Sequence, residues 1–224
     1  MRRIFDMDSP LMRGITRFAD LMFLNLLTLL CCVPIVTIGA ALAALYGAVG
    51  RMQREEGHTF SNYFQCFKEN FRQATCLWLI LLPILALLIL ALGYYTGDNL
   101  EIKALSSAGG IVSLAGILIW SMIVSWVFPL QSRFVNTVKG TLRNAAICSI
   151  AFLWKTLIMT VLNLLPWVLF LAWPPMFMAF ALGFALVYFS LIASINLRLL
   201  KKSFSSLHPD EEHEEDTYEE EEDV

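Results

Sequence analysis

Charge is scarce in this chain: Asp, Glu, Lys and Arg make up 16% of its 224 residues, against about 25% in an ordinary soluble domain. The shortage is concentrated. Leu77–Tyr95, Ile111–Leu130 and Thr156–Leu197 hold no charged residue at all. Runs of that length exceed what a core helix needs and match the roughly 20 apolar residues that cross a bilayer. No alternation of apolar and polar residues marks the strands of a barrel. Helices are therefore expected, because they satisfy their own backbone hydrogen bonds in lipid. Histidine is also scarce, with three residues, His58, His208 and His213. None stands in an array with a carboxylate and a nucleophile, so a hydrolytic triad lacks its parts. No phosphate-binding glycine loop, dinucleotide fingerprint or zinc-protease motif occurs. The five cysteines (Cys31, Cys32, Cys66, Cys76, Cys148) lie in or beside apolar runs, none at metal-ligand spacing with histidine. They read as small packing residues. No catalytic residue, cofactor site or metal site is expected, and the chain is not read as an enzyme.

The charge that is present is segregated. His208–Val224 carries eleven of the nineteen acidic residues and no Lys or Arg. The rest keeps all 16 basic residues with eight acidic ones. A basic body fits positive residues on cytoplasmic loops and is not a nucleic-acid footprint. The acidic tail, taken as 203–224, cannot bury enough apolar surface to fold and is expected to be disordered. It reads as a solvated end, with contact to a basic partner as the alternative.

Along the chain, residues 1–17 form a basic arm, and the first apolar segment, 18–49, is interrupted at Val33–Gly39 by Pro34 and Gly39. Proline removes a backbone donor and breaks a helix. Residues 58–75 alternate aromatic and polar groups at helical spacing, the pattern of an amphipathic interfacial helix. Spans are expected at 76–95, 108–130, 156–173 and 176–197, the last two joined by Trp173-Pro174-Pro175. The expected fold is thus an all-α, polytopic membrane protein of about five segments, the first broken at Pro34.

Placing Arg198, Lys201 and Lys202 in the cytoplasm puts Gly50–Thr75 and Gln131–Lys155 inside with eight Lys/Arg between them, and leaves Lys103 outside. The positive-inside rule then holds. The four arginines of the N-terminal arm (Arg2, Arg3, Arg13, Arg17) fit the same side only if 18–49 enters and leaves together, as a broken hairpin. A single tilted span remains the alternative. Both termini are then expected in the cytoplasm.

Within the spans, Asn25, Asn163 and Asn196 are the conspicuous amides, expected to bond between helices. The basic segments also resemble each other: Phe67-Lys68-Glu69-Asn70-Phe71-Arg72-Gln73-Ala74 parallels Val138-Lys139-Gly140-Thr141-Leu142-Arg143-Asn144-Ala145 at an offset of 71 residues. An internal duplication would explain this, as would two unrelated interfacial helices whose Lys and Arg meet lipid headgroups. Candidate contacts to partner or lipid are Phe60, Phe64, Phe67, Lys68, Asn70, Phe71, Arg72, Lys139 and Arg143. The candidate broken-helix element is Pro34, Thr37 and Gly39.

Pro34-Ile35-Val36-Thr37-Ile38-Gly39 followed by Ala43–Tyr46, then Phe60, Phe64 and Phe67–Gln73, and then Phe128-Pro129-Leu130 with Phe134, resemble the YesL family of small bacterial membrane proteins. The resemblance covers most of residues 1–202 and leaves the acidic tail outside. It implies about five spans and a genomic association with carbohydrate ABC importers and glycoside-degrading enzymes. It implies no catalytic residues. The expected partners are the bilayer and subunits of a carbohydrate ABC transporter, with no nucleic acid and the homo-oligomeric state open. The expected role is an accessory or assembly component of sugar uptake. A stand-alone transporter or channel for a neutral solute and a lipid-organising protein are the alternatives.

Overall fold

The computed structural model describes residues 10–96, 103–134, 136–175, 178 and 183–207. Among these residues every regular element is helical. The order is α1 (Pro10–Cys32), a 3-10 turn (Ile35–Thr37), α2 (Ile38–Gln53), α3 (Thr59–Thr96), α4 (Lys103–Arg133), α5 (Val138–Ala151) and α6 (Leu153–Ala172). A π-helical turn (Phe184–Tyr188) then leads into α7 (Phe189–Leu207). Five helical stretches are long and apolar enough to cross a membrane: Gly14–Cys32, Ile35–Gln53, Thr59–Thr96, Ala108–Arg133 and Leu153–Phe170. The chain is a helical protein with multi-pass membrane character.

The first apolar segment is two helices. The break falls at Val33–Thr37, and α1 and α2 run antiparallel, because Arg17 near the start of α1 donates to the Glu55 carboxylate just beyond α2. Backbone groups at the break find partners. The Thr37 hydroxyl donates to the Cys31 carbonyl at 2.6 Å and to the Pro34 carbonyl at 2.8 Å. The Trp78 indole N–H on α3 donates to the Ile35 carbonyl at 2.9 Å. Those bonds engage carbonyls that the break takes out of the helical ladder. Replacing Trp78 with Phe keeps the ring and removes the donor. It should destabilise the fold by about 1 kcal/mol, read as an earlier unfolding midpoint in a detergent titration.

Helix α2 is the centre of the bundle, in contact with α1, α3, α4 and α7. Its small residues make that possible. Gly39, Ala43 and Gly47 stand four apart on one face, an arrangement that lets helix backbones approach closely. A Cβ on Gly39 would lie 2.5 Å from the Ala74 carbonyl oxygen and 2.5 Å from the Trp78 Cβ; one on Gly47 would lie 2.8 Å from the Cys66 Sγ. The α2–α3 turn uses left-handed backbone at Glu55 and Gly57. Asn62 secures it by donating to the Glu56 carbonyl at 2.5 Å.

Helix α3 differs from the sequence expectation. Residues 58–75 and 76–95, read as an interfacial helix and a separate span, form one helix of 38 residues, about 57 Å long. Nothing in Arg72–Leu77 stops a helix, and the buried stripe Asn62, Tyr63, Cys66, Ala74, Leu77 and Leu81 continues through the join. Beyond Trp78, α3 pairs with α4, where the Gly109 and Gly116 backbones face the Tyr95 ring and Leu88. The Trp120 indole donates to the Leu81 carbonyl at 3.0 Å. The basic arm is also shorter than expected, since Pro10–Arg17 belongs to α1; residues 1–9 lie outside the described residues. So does most of the acidic tail, 208–224, while 203–207 end α7. Of the span expected at 176–197, residue 178 and residues from 183 onward are described, and all of these are helical.

Candidate contact surface at the basic end of the bundle

The expected aromatic face of α3 divides in two. Phe60, Phe64 and Phe71 are 54%, 42% and 41% exposed, whereas Tyr63 is buried and Phe67 half-buried against the core. The rings still touch in series. Phe23 of α1 lies 5.8 Å from Phe60, Phe60 lies 4.9 Å from Phe64, and Phe67 lies 5.4 Å from Phe71, centroid to centroid. Tyr63 stacks on Phe67 at 6.4 Å and so ties the outer ring row to the interior. Lys68 and Arg72 are exposed beside the outer phenylalanines. The result is an aromatic ridge flanked by cations.

Asn70, expected as a contact residue, and its neighbour Gln73 point inward. Asn70 donates to the Cys66 carbonyl at 3.1 Å, and its carbonyl oxygen accepts from Gln131 of α4 at 3.1 Å. The other end of the Gln131 amide accepts from the Thr141 hydroxyl of α5 at 3.3 Å. Gln73 donates to the Asn136 carbonyl before α5. Asn70 is therefore an interior joint rather than a surface contact. Gln131 is the residue that sequence reasoning missed. It ends an apolar run two residues before Arg133, so it looked like part of a solvated loop.

This joint places the two similar segments in equivalent settings. At an offset of 71, Asn70 corresponds to Thr141, and both bind Gln131. Ala74 and Ala145 are both fully buried, as are Leu77 and Cys148 to within a few percent. Phe67 and Val138 are both half-buried, and Lys68, Lys139, Arg72 and Arg143 are all exposed. Thr137 caps α5 by accepting from the Gly140 N–H at 3.2 Å. Two stretches of like pattern thus dock on one glutamine of α4.

Ion pairs engage three of the nearby acids. Arg51 meets Glu69 at 3.4 Å, Arg54 meets Glu56 at 3.0 Å, and Arg17 meets Glu55. Lys68, Arg72, Lys139 and Arg143 have no acidic partner among the described residues. Beside the Phe23–Phe60 contact an open cleft of about 400 Å³ is lined by Thr16, Asp20, Gly57, His58 and Thr59. It is broad and shallow.

The other candidates are structural in their geometry. Val33 and Ile35 are 77% and 65% exposed, and Pro34 is exposed as well. The break thus lies on the protein surface, while Thr37 supplies its internal bonds and Gly39 its close packing. The three amides join helices: Asn25 accepts from the Ser190 N–H at 3.1 Å, Asn163 donates to the Ser125 hydroxyl at 3.0 Å, and Asn196 donates to the Tyr46 hydroxyl at 3.0 Å. Ser190 comes two residues after the π-helical turn, near which the i→i−4 ladder is disturbed and a backbone N–H becomes available to a side chain. All five cysteines are free thiols. Burial pushes the Cys148 thiol above its ordinary pKa, which disfavours the reactive thiolate. Among the described residues no group of three His, Cys, Asp or Glu could hold a metal ion.

No curated protein and no solved structure matches the chain. Residues 21–92, from α1 through the break and α2 to the upper part of α3, match the family model described as a protein of unknown function, DUF624, and over that stretch the chain is similar to this family.

Proposed function

We propose that this chain is a non-enzymatic accessory protein of the cell membrane, of the YesL type, that supports a carbohydrate uptake system of the ABC class. Its contact with the importer is the ridge of Phe60, Phe64 and Phe71 with Lys68 and Arg72. The observation that carries the reading is this exposed ridge on a helix whose opposite side is pinned to α2, α4 and α5. Rigid, exposed aromatic and cationic side chains are typical anchors of protein interfaces. The interior polar groups described above are engaged in joining helices.

In this reading the α1–α2 hairpin returns the chain to its starting side, and both termini, the α2–α3 turn and the basic segments are cytoplasmic. The clustering of Arg17, Arg51 and Arg54 at one end of the hairpin supports that orientation. So does Lys103 at the far end of the α3–α4 pair, since short cytoplasmic loops collect Lys and Arg.

The test is purification of the tagged chain from its native membranes in mild detergent, with mass spectrometry of what accompanies it. Permease or ATPase subunits of a sugar importer should co-purify. Changing Phe60, Phe64 and Phe71 together to Ala should weaken that association at least tenfold, a loss of about 1.4 kcal/mol, while leaving stability nearly unchanged. Recovery of the chain alone, under conditions that keep the importer assembled, would overturn the proposal. Sugar flux through proteoliposomes holding only this chain would favour the transporter reading instead.

A further inference from the structure

We infer that the basic end of the bundle is a docking surface for an acidic peptide, and that the peptide is this chain's own C-terminal segment, residues 208–224. The charges near this surface do not balance without it. Of the described carboxylates there, Glu55, Glu56 and Glu69 are already held by Arg17, Arg54 and Arg51, and Asp20 lines the cleft beside Phe60. Lys68 and Arg72 on α3 and Lys139 and Arg143 on α5 are left exposed with no described acidic partner. These four flank Asn70 and Thr141, which both bind Gln131, so the cations gather around one level of the bundle. Cations without an acidic partner on a folded scaffold attract a counter-charge. The sequence supplies one in the segment that carries eleven acids and no Lys or Arg.

The placement of α7 allows the contact. Gln53 at the end of α2 donates to the Ser194 carbonyl and hydroxyl at 3.1 Å, and Leu197 packs against Gly50. Arg51, between Gly50 and Gln53, pairs with Glu69, the neighbour of Lys68. Helix α7 thus passes the basic end at Ser194–Leu197 and ends at Leu207, about 15 Å further on. Seventeen residues can extend up to about 55 Å from there, enough to reach α3 and α5. The acidic segment would screen the same cations that flank the aromatic ridge. It therefore competes with any anionic surface for them, whether or not the partner is a sugar importer.

Zero-length carbodiimide cross-linking of the full chain in phosphatidylcholine nanodiscs, one chain per disc, tests this directly. Peptide mapping should show Lys68 and Lys139 joined to Asp or Glu of residues 210–223. Those links should fade near 0.5 M salt, where the Debye length is about 4 Å. In parallel, acetylation of Lys68 and Lys139 should be several-fold faster in a chain ending at Leu207, with Lys103 as the unchanged reference. Cross-links confined to Lys201 and Lys202, which adjoin the tail, or acetylation unaltered by truncation, would overturn the inference. Links from Lys68 and Lys139 found only between chains in larger discs would do the same.

Discussion

Replacing Gly39 with alanine should destabilise the protein by about 3 kcal/mol, the upper part of the range for overpacked sites. A single methyl group is enough because its Cβ would lie 2.5 Å from the Ala74 carbonyl oxygen and 2.5 Å from the Trp78 Cβ. The first obstacle is backbone, which no rotamer change can move. Relief requires α2 to withdraw from α3, which loosens the fully buried residues Ala40, Ala43, Ala44, Ala74 and Leu77 together. The Trp78 bond that holds the break would lengthen as well. Gly93 is the control, since a Cβ there meets nothing within 4 Å. Gly93→Ala should stabilise α3 slightly, by about 0.5–1 kcal/mol, as alanine does within a helix. Tryptophan fluorescence during denaturing-detergent titration would measure both. Equal effects from the two substitutions would mean that α2 and α3 do not pack as described.

The second large effect is expected at Gln131. Changing it to Leu leaves the Asn70 carbonyl oxygen and the Thr141 hydroxyl without their Gln131 partner, and Thr141 is buried at 1% exposure. An unmatched buried polar group costs about 1–3 kcal/mol, so a loss of about 2–3 kcal/mol is expected for the pair. The companion test separates this joint from mere loss of volume. Combining Gln131→Leu with Asn70→Leu and Thr141→Val removes every partner together, and much of the loss should return. Strict additivity of the three changes would show that these residues do not act as one joint.

Part of this architecture was legible in the sequence because its causes are local. Charge-free runs announce helices in lipid, and Pro34 announces the break. The antiparallel return of α1 and α2 also follows once four arginines must share one side. The sense of α3 was legible only in part: Phe64 and Phe71, expected as contacts, are outward, whereas Asn70, expected with them, turns inward. In a soluble helix Asn70 and Gln73 would face water and Phe64 and Phe71 the core. Here the amides bond to Gln131 and to the Asn136 carbonyl, and the phenylalanines are exposed, because an outward apolar ring in or near lipid costs little. Periodicity fixes which residues share a face but not which face is in. The join at Arg72–Leu77 was misread for a related reason, since a change from polar to apolar sequence alters a helix's surroundings without ending it. Gln131 itself carried no pattern. Its role depends on Asn70 and Thr141, distant in sequence and brought to it only by the fold.

The central claim is that the α1–α2 hairpin brings the chain back to the side on which it began, placing the aromatic ridge and the basic residues there together. Single cysteines at Ser9, Glu55 and Ser106, each in a full-length chain with the five native cysteines changed to Ala, put that claim to measurement. A membrane-impermeant maleimide applied to intact cells should label Ser106→Cys and spare Ser9→Cys and Glu55→Cys until the membrane is opened. Labelling of Ser9→Cys from outside while Glu55→Cys stays protected would mean that residues 18–49 cross once, and would contradict the account.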